Sequence, residues 1–267
     1  MNIEKYLSMY SRDLQVKNYS MNTIENYVSQ VGLFLRYFEP VANKPSEISE
    51  QKIKDWLLLA QTINSRKHRI SAVKLFYSLT GKQPLKFRHI EYPRSEKHLP
   101  QVIDGDFIRS RLDQIKNLKH KAIIMLAYSV GLRVSEVVNL KLKDIDSSRM
   151  LITIRQAKGR KDRIVPLSEK VLEILRMYFI EYKPNEFLFN GQFNNRYSST
   201  SCNQIVKRYL GRQYHFHLLR HSCFTSLLES GTDLRIIQKI AGHSSSKTTE
   251  IYTHVSNRIL RNVALPV

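Results

Sequence analysis

The chain has 267 residues, 42% of them apolar, enough for one large core or two smaller ones. Its formal net charge is +20, and the excess is spread along it: residues 1–97 carry 16 Lys/Arg against 9 Asp/Glu, and residues 98–267 carry 27 against 14. A polyanionic partner is therefore the first expectation, whereas two cysteines (Cys202 and Cys223), the lack of a bilayer-length apolar run and the polar start Met1-Asn-Ile-Glu-Lys speak against a disulfide framework, a metal set, a membrane span or a secretory leader. The expected place is the cytoplasm, in association with the nucleoid.

Residues 1–82 read as a helical domain. From Ser20 to Phe38, Ile24, Tyr27, Val28, Val31, Phe34, Leu35 and Phe38 recur at helical spacing, with Ser20 or Asn22 as N-cap. A second helix, Ser49–Ala60, gathers Ile53, Trp56, Leu57 and Ala60 on one side. A third, Asn64–Leu79, turns Ile70, Val73, Leu75 and Phe76 inward and Arg66, Lys67, Arg69 and Lys74 outward. Such charges usually make a solvated face. On a basic domain they are also candidates for contact with a DNA groove or backbone. Residues 83–100 hold three prolines and no helical period, so they read as a cationic linker.

Residues 101–267 read as a second domain, mainly helical with one small sheet. Helices are predicted near Asp104–Asn117 and Lys119–Val130, ended by Gly131, and over Glu136–Leu140 with Ser135 as cap. Met150–Arg155 and Arg163–Leu167 have strand composition, with a polar turn containing Gly159 between them. Further helices are predicted near Glu169–Tyr182, Thr200–Leu210, His217–Ser230, Leu234–Ala241 and Lys247–Tyr252.

The chemistry is concentrated in His217-Leu-Leu-Arg220-His221, Ala241-Gly-His243 and Tyr252-Thr-His254, with Gly131-Leu-Arg133-Val-Ser-Glu136 and Gln156-Ala-Lys158-Gly-Arg-Lys-Asp162 upstream. A phosphodiester repels nucleophiles because it is anionic. A permanently protonated, forked guanidinium neutralises it well. Arg133 follows a helix-stopping glycine, and Glu136 is placed to orient it; alone, the two make an ordinary surface pair. His217 and Arg220, spaced i, i+3, share a helix face at about 5–6 Å between Cβ atoms. His215 and His221 read as packed or surface imidazoles. A tyrosine can attack phosphorus, but a free phenol is ionised only on the order of 0.1% at pH 7 and needs cations or a base nearby. Tyr252 stands out among 14 tyrosines by its place nine residues after His243. A lysine on the 156–162 turn can protonate a departing oxygen. Lys158, Arg160, Lys161 and Arg163 compete for that place, and those without it suit phosphate contact.

From His217 to Tyr252 this order and spacing closely resemble the signature of the tyrosine recombinase (phage integrase) family. The likeness extends over roughly residues 98–256 and more weakly over the N-terminal part. The resemblance implies a four-helix, SAM-like core-binding domain plus a mixed α/β catalytic domain, closing as a C around double-stranded DNA at a specific site, in the short Xer-like form. By position it makes Arg133 and Arg220 the phosphate clamp, Lys158 the general acid, His217 the proton acceptor and hydrogen-bond donor, His243 a donor to the transition state, and Tyr252 the nucleophile. It implies a 3′-phosphotyrosyl intermediate and no cofactor, metal or ATP. It implies a homotetramer on two DNA sites, with a partner recombinase or accessory protein as a further option. The family commonly has leucine where this chain has Ala241. Arg66, Lys67, Arg69, Lys74, Arg160, Lys161 and Arg163 are then DNA contacts. The tail after Tyr252 puts Val255, Ile259, Leu260 and Val263 at helical spacing, an apolar face expected to dock in a neighbouring subunit. Two rival readings remain: a type IB topoisomerase that reseals the same strand, and a non-catalytic DNA-binding protein of the same fold.

Overall fold

The computed structural model describes residues 1–94, 100–155, 162–192, 196–243 and 245–253. The chain forms two compact units, Met1–Lys97 and His98–Val267. The first contains helices α1 (Ile3–Val16), α2 (Met21–Phe38), α3 (Glu50–Leu58) and α4 (Ile63–Leu79). Each begins at a polar side chain that accepts from a backbone N–H of the first turn: Asn2, Ser20, Ser49 and Thr62. Ser20 rather than Asn22 is thus the cap of α2. Helix α1 is not among the three helices read from periodicity, although Ile3, Leu7, Tyr10 and Leu14 recur at helical spacing and are buried; it makes up the four helices that the resemblance implies.

Aromatic rings dominate this first core. Phe34 meets Trp56 edge-on at 5.1 Å, and Tyr10 meets Phe76 at 5.5 Å. The buried phenols are satisfied: Tyr10 donates to the Ala72 carbonyl and Tyr77 to the Pro45 carbonyl. Part of the stretch read as linker belongs to this core. Pro84–Phe87 form a 3-10 turn, and Phe87 and Ile90 are buried. Burying two such side chains yields about 1.5–3 kcal/mol each, enough to hold a proline-rich segment against its domain.

The second unit comprises α5 (Gly105–Gln114), α6 (Leu118–Val130), α7 (Val134–Asn139), β1 (Ile145–Asp146), β2 (Leu151–Ile154), β3 (Arg163–Pro166), α8 (Glu169–Tyr182), α9 (Ser199–Tyr209), α10 (Phe216–Glu229), α11 (Leu234–Ala241) and α12 (Lys247–Glu250). The three strands form an antiparallel sheet in the order β1-β2-β3, with Ile152 opposite Val165 and Ile154 opposite Arg163. Among the described residues the molecule is mainly helical with this one small sheet, as the sequence implied. Helix α6 buries Ala122, Ile123, Ile124, Leu126, Ala127 and Val130, too wide an arc for a surface helix, because α8 and α10 cover it from different sides. Among the described residues no helix is long and apolar enough to cross a membrane.

Helix α7 starts earlier than its composition suggested. Its N-cap is Arg133, not Ser135, because the Glu136 carboxylate reaches back to accept from the Arg133 backbone N–H at 2.8 Å.

Candidate active site

Two glycines shape the site. Gly131 ends α6 with φ +63°, and a Cβ there would meet the Phe224 ring at 2.5 Å. Gly242 ends α11 with φ +62°, and a Cβ there would lie 2.9 Å from Arg163 Cδ. Both positions combine a left-handed backbone with a close neighbour, so only glycine fits. The first turn delivers Arg133 and the second delivers His243.

Arg220 ties these corners together. It is 1% exposed. Its Nη1 donates to the Gly131 carbonyl at 2.6 Å, and its Nη2 donates to the Ala241 carbonyl at 2.7 Å and to His243 Nε2 at 3.0 Å. Three of its five N–H groups are thus engaged by described residues. Burial first, then the charge of Arg133, lowers its pKa to about 10, which still leaves it cationic at neutral pH. Since Arg220 can only donate, His243 Nε2 accepts, and Nδ1–H donates to Thr249 Oγ1 at 2.9 Å. Burial and the surrounding arginines hold the His243 pKa down to about 4.

Arg133 is held differently. Its Nη1 donates to Glu136 Oε1 at 2.8 Å, with the Arg133 side chain 19% exposed and that of Glu136 4% exposed. The same carboxylate takes both terminal nitrogens of Arg163, at 2.7 and 2.8 Å. Burial alone would raise the Glu136 pKa; the bond and charge of Arg163, then those of Arg133, bring it to about 2.

Arg163 was expected to touch DNA, and its place in the structure is different. Its side chain is 8% exposed, and all three guanidinium nitrogens are committed, Nε to the Ile240 carbonyl at 2.8 Å. A buried carboxylate and a carbonyl claim it before any phosphate can. It staples β3 to α7 and α11, and so positions Arg133.

Tyr252 is 1% exposed and lies against Phe224, its Oη 3.1 Å from His221 Nδ1. Burial first, against the pull of Arg220, pushes its pKa up to about 12. His221, read from sequence as an ordinary packed imidazole, therefore touches the candidate nucleophile. His217 is the exposed member of the set, its ring edge-on to His221 at 4.6 Å. Its pKa is lowered by partial desolvation, then by the charges of Arg220, His215 and Arg133. His215 sits one position before α10 and is exposed. The other tyrosines near the motif are engaged elsewhere, Tyr209 with His120 and Tyr214 with Phe107.

Lys158, Arg160, Lys161, His254 and the tail from residue 254 lie outside the described residues. On α4, Arg66 and Lys67 are half-buried, and Lys74 is exposed. Arg69 folds back to donate to the Trp56 carbonyl at 3.0 Å and stacks 4.5 Å from the Trp56 ring. Sequence reasoning also passed over Thr249, a fully buried hydroxyl three residues before Tyr252, and a groove beside Glu136 lined by Lys141, Lys143, Arg155 and Arg196.

Comparison with known proteins agrees with this architecture. The model of the phage integrase family matches residues 101–258, and that of the phage integrase N-terminal SAM-like domain matches residues 4–82. Tyrosine recombinase XerA of Pyrococcus horikoshii is 32% identical, over 96% of this chain and 90% of its own. Tyrosine recombinase XerC of Bacillus subtilis is 29% identical, over 98% and 95%. The crystal structure of XerH site-specific recombinase bound to palindromic difH substrate, a post-cleavage complex, shares the fold with a TM-score of 0.73 at 24% identity, over 92% of this chain and 80% of that one. With its catalytic and SAM-like parts both matched, the chain belongs to the phage integrase family of tyrosine recombinases.

Proposed function

We propose that this chain is a site-specific DNA recombinase that cleaves and rejoins double-stranded DNA through a 3′-phosphotyrosyl link at Tyr252. One observation carries the reading. Segments far apart in sequence converge on Arg220, which bonds the Gly131 carbonyl, the Ala241 carbonyl and His243, while the next residue bonds Tyr252.

The chemistry follows from the charges. A phosphodiester seated against Arg133, His217 and the remaining N–H groups of Arg220 has its charge balanced by groups already in place, which lowers the barrier without reorganisation. Tyr252 Oη then bonds to phosphorus while the bond to the 5′ oxygen breaks. Lys158 gives that oxygen its proton. His243 now accepts from Arg220, so it becomes a donor to phosphate only by gaining a proton, which an arriving anion favours. Tyr252 is buried, so DNA must open a path to its oxygen as it binds. A 5′-hydroxyl from a second duplex reverses the step and completes strand exchange. The phosphotyrosyl bond conserves the energy of the one it replaced, so no nucleotide is consumed.

Two duplexes cut on both strands need four tyrosines, hence a homotetramer, with a partner recombinase or accessory protein at some sites. The tail from Ser256 onward links its subunits. Its deletion should leave monomer binding to a half-site nearly intact, weaken cooperative binding to a full site and abolish strand exchange.

The test is a nicked suicide substrate. Wild-type protein forms a covalent adduct, and Tyr252→Phe binds the same half-site and forms none. An adduct with Tyr252→Phe would overturn the assignment. Relaxation of plasmids lacking any specific site would favour a topoisomerase instead.

A further inference from the structure

Helix α10 brings two histidines, one turn apart, to the site, and they face different atoms. His217 touches the ring of His221, and among the described residues His221 is the imidazole that bonds the phenol of Tyr252, at 3.1 Å. Burial, then His217, Arg220 and His215, hold the His221 pKa down to about 4. It is therefore neutral at physiological pH, with one nitrogen free to accept. Tyr252 keeps its proton there, so the phenol donates and Nδ1 accepts.

We propose that His221 is the base that takes the phenolic proton of Tyr252 as the oxygen attacks phosphorus. This rests on the reading of Tyr252 as nucleophile. The Oη–P bond forms with the electron pair released from the O–H bond, the hydrogen passes to Nδ1, and the P–O5′ bond breaks with its electron pair on the 5′ oxygen, which the general acid protonates. His221 is left as imidazolium. When an incoming 5′-hydroxyl displaces the tyrosine, the imidazolium returns its proton to Oη. A free tyrosinate does not precede attack, because the phenol holds its proton far more tightly than the resting imidazole accepts one. The proton moves as Oη loses its basicity to phosphorus, and the phosphate's charge beside the ring favours the imidazolium. This departs from the resemblance, which made His217 the proton acceptor: His217, at the exposed edge, keeps only the hydrogen-bond donor's part, to a phosphate oxygen.

The experiment compares adduct formation on the suicide half-site by full-length protein carrying either tyrosine or a fluorinated, more acidic tyrosine at position 252. His221→Leu removes the acceptor at similar volume. Its adduct should form roughly 10²–10⁴-fold more slowly at unchanged half-site binding. Fluorination should restore much of that loss and change wild type little, which a merely structural defect would not show. His221→Asn, which sets an amide oxygen near the place of Nδ1, should fall between; it carries the same comparison should His221→Leu fail to bind DNA. Wild-type rates in both variants, or an equal effect of fluorination with and without His221, would remove His221 from the proton transfer while Tyr252→Phe stays inert. An adduct with Tyr252→Phe would instead remove the nucleophile assignment beneath it.

Discussion

The corner at Gly131–Glu136 and helix α10 each bring one arginine to the site, and they hold it in opposite ways. Arg133 lies at the edge, paired with a carboxylate that also binds Arg163 in a two-pronged grip. Arg220 is buried and bonded to two carbonyls and an imidazole, with no carboxylate in bonding contact among the described residues. The first charge is paired directly within the protein; the second, among the described residues, is bonded to dipoles, with Glu136 acting on it only at a distance. A buried charge without a counter-ion is costly, and the cost falls when an anion arrives. Arg220 is thus expected to be the stronger attractor for phosphate, fixed by three bonds, whereas Arg133 is steered by a single carboxylate contact at the edge.

Neither arginine gives up a proton, which separates both from the acid. Lys158→Ala should slow cleavage by roughly 10²–10⁴. A 5′-bridging phosphorothiolate leaves as a thiolate that needs no proton. It should rescue Lys158→Ala and rescue neither Arg133→Ala nor Arg220→Ala. Equal rescue of all three, or of none, would end the distinction between holding charge and donating a proton.

The two grips predict different stabilities in the absence of DNA. Arg220→Ala strands the Gly131 and Ala241 carbonyls and empties space against Phe224, a loss of about 2–4 kcal/mol. Arg133→Ala leaves Glu136 bound to Arg163 and should cost about 1 kcal/mol or less. Urea melts of the free proteins compare them directly. Equal losses would show that the arginines are held alike.

Acid should find the carboxylate grip and spare the other. The Glu136 pKa sits at about 2, below the ordinary value near 4.3, so its contribution is fully present above that ordinary value and fades as pH falls toward 2. The difference amounts to on the order of 3 kcal/mol. Glu136→Gln should flatten the acid limb of the stability curve between about pH 5 and 2. An unchanged limb would place the acid sensitivity elsewhere.

How much of this was readable without coordinates depended on whether the signal was local. The motif shared with the family singled out Arg133, Arg220, His243 and Tyr252, and the structure brings them into one neighbourhood. Gly131 was legible as a helix stop because a left-handed residue at a helix end is a local need. The contacts of His221 and Arg163 were not legible, since their partners lie 31 and 27 residues away and are met only when α10, α7 and β3 pack. A basic residue at a strand start reads as solvated or DNA-bound until a buried carboxylate is found opposite it. Helix α1 was within reach of periodicity. Phe87 and Ile90 were hidden by the prolines around them, which mark a break in helix without saying where the chain packs.

The same contrast between committed and free cations extends to α4, where its effects are smallest. Arg69 is spent on Trp56, by a bond to its carbonyl and a stack on its ring, whereas Lys74 is exposed, with Nζ 5.9 Å from the Tyr92 ring. Arg69→Ala should cost the N-terminal unit about 1–2 kcal/mol and leave the salt dependence of DNA binding unchanged. Lys74→Ala should leave stability within about 0.5 kcal/mol. If Lys74 neutralises a phosphate, its loss should lower the slope of log K against log salt by about 1 and weaken binding evenly across sequences. Titrations at several salt concentrations on specific and unrelated duplexes measure both. A reduced slope with Arg69→Ala would mean that DNA draws its guanidinium off the indole. An unchanged slope with Lys74→Ala would return that side of α4 to solvent.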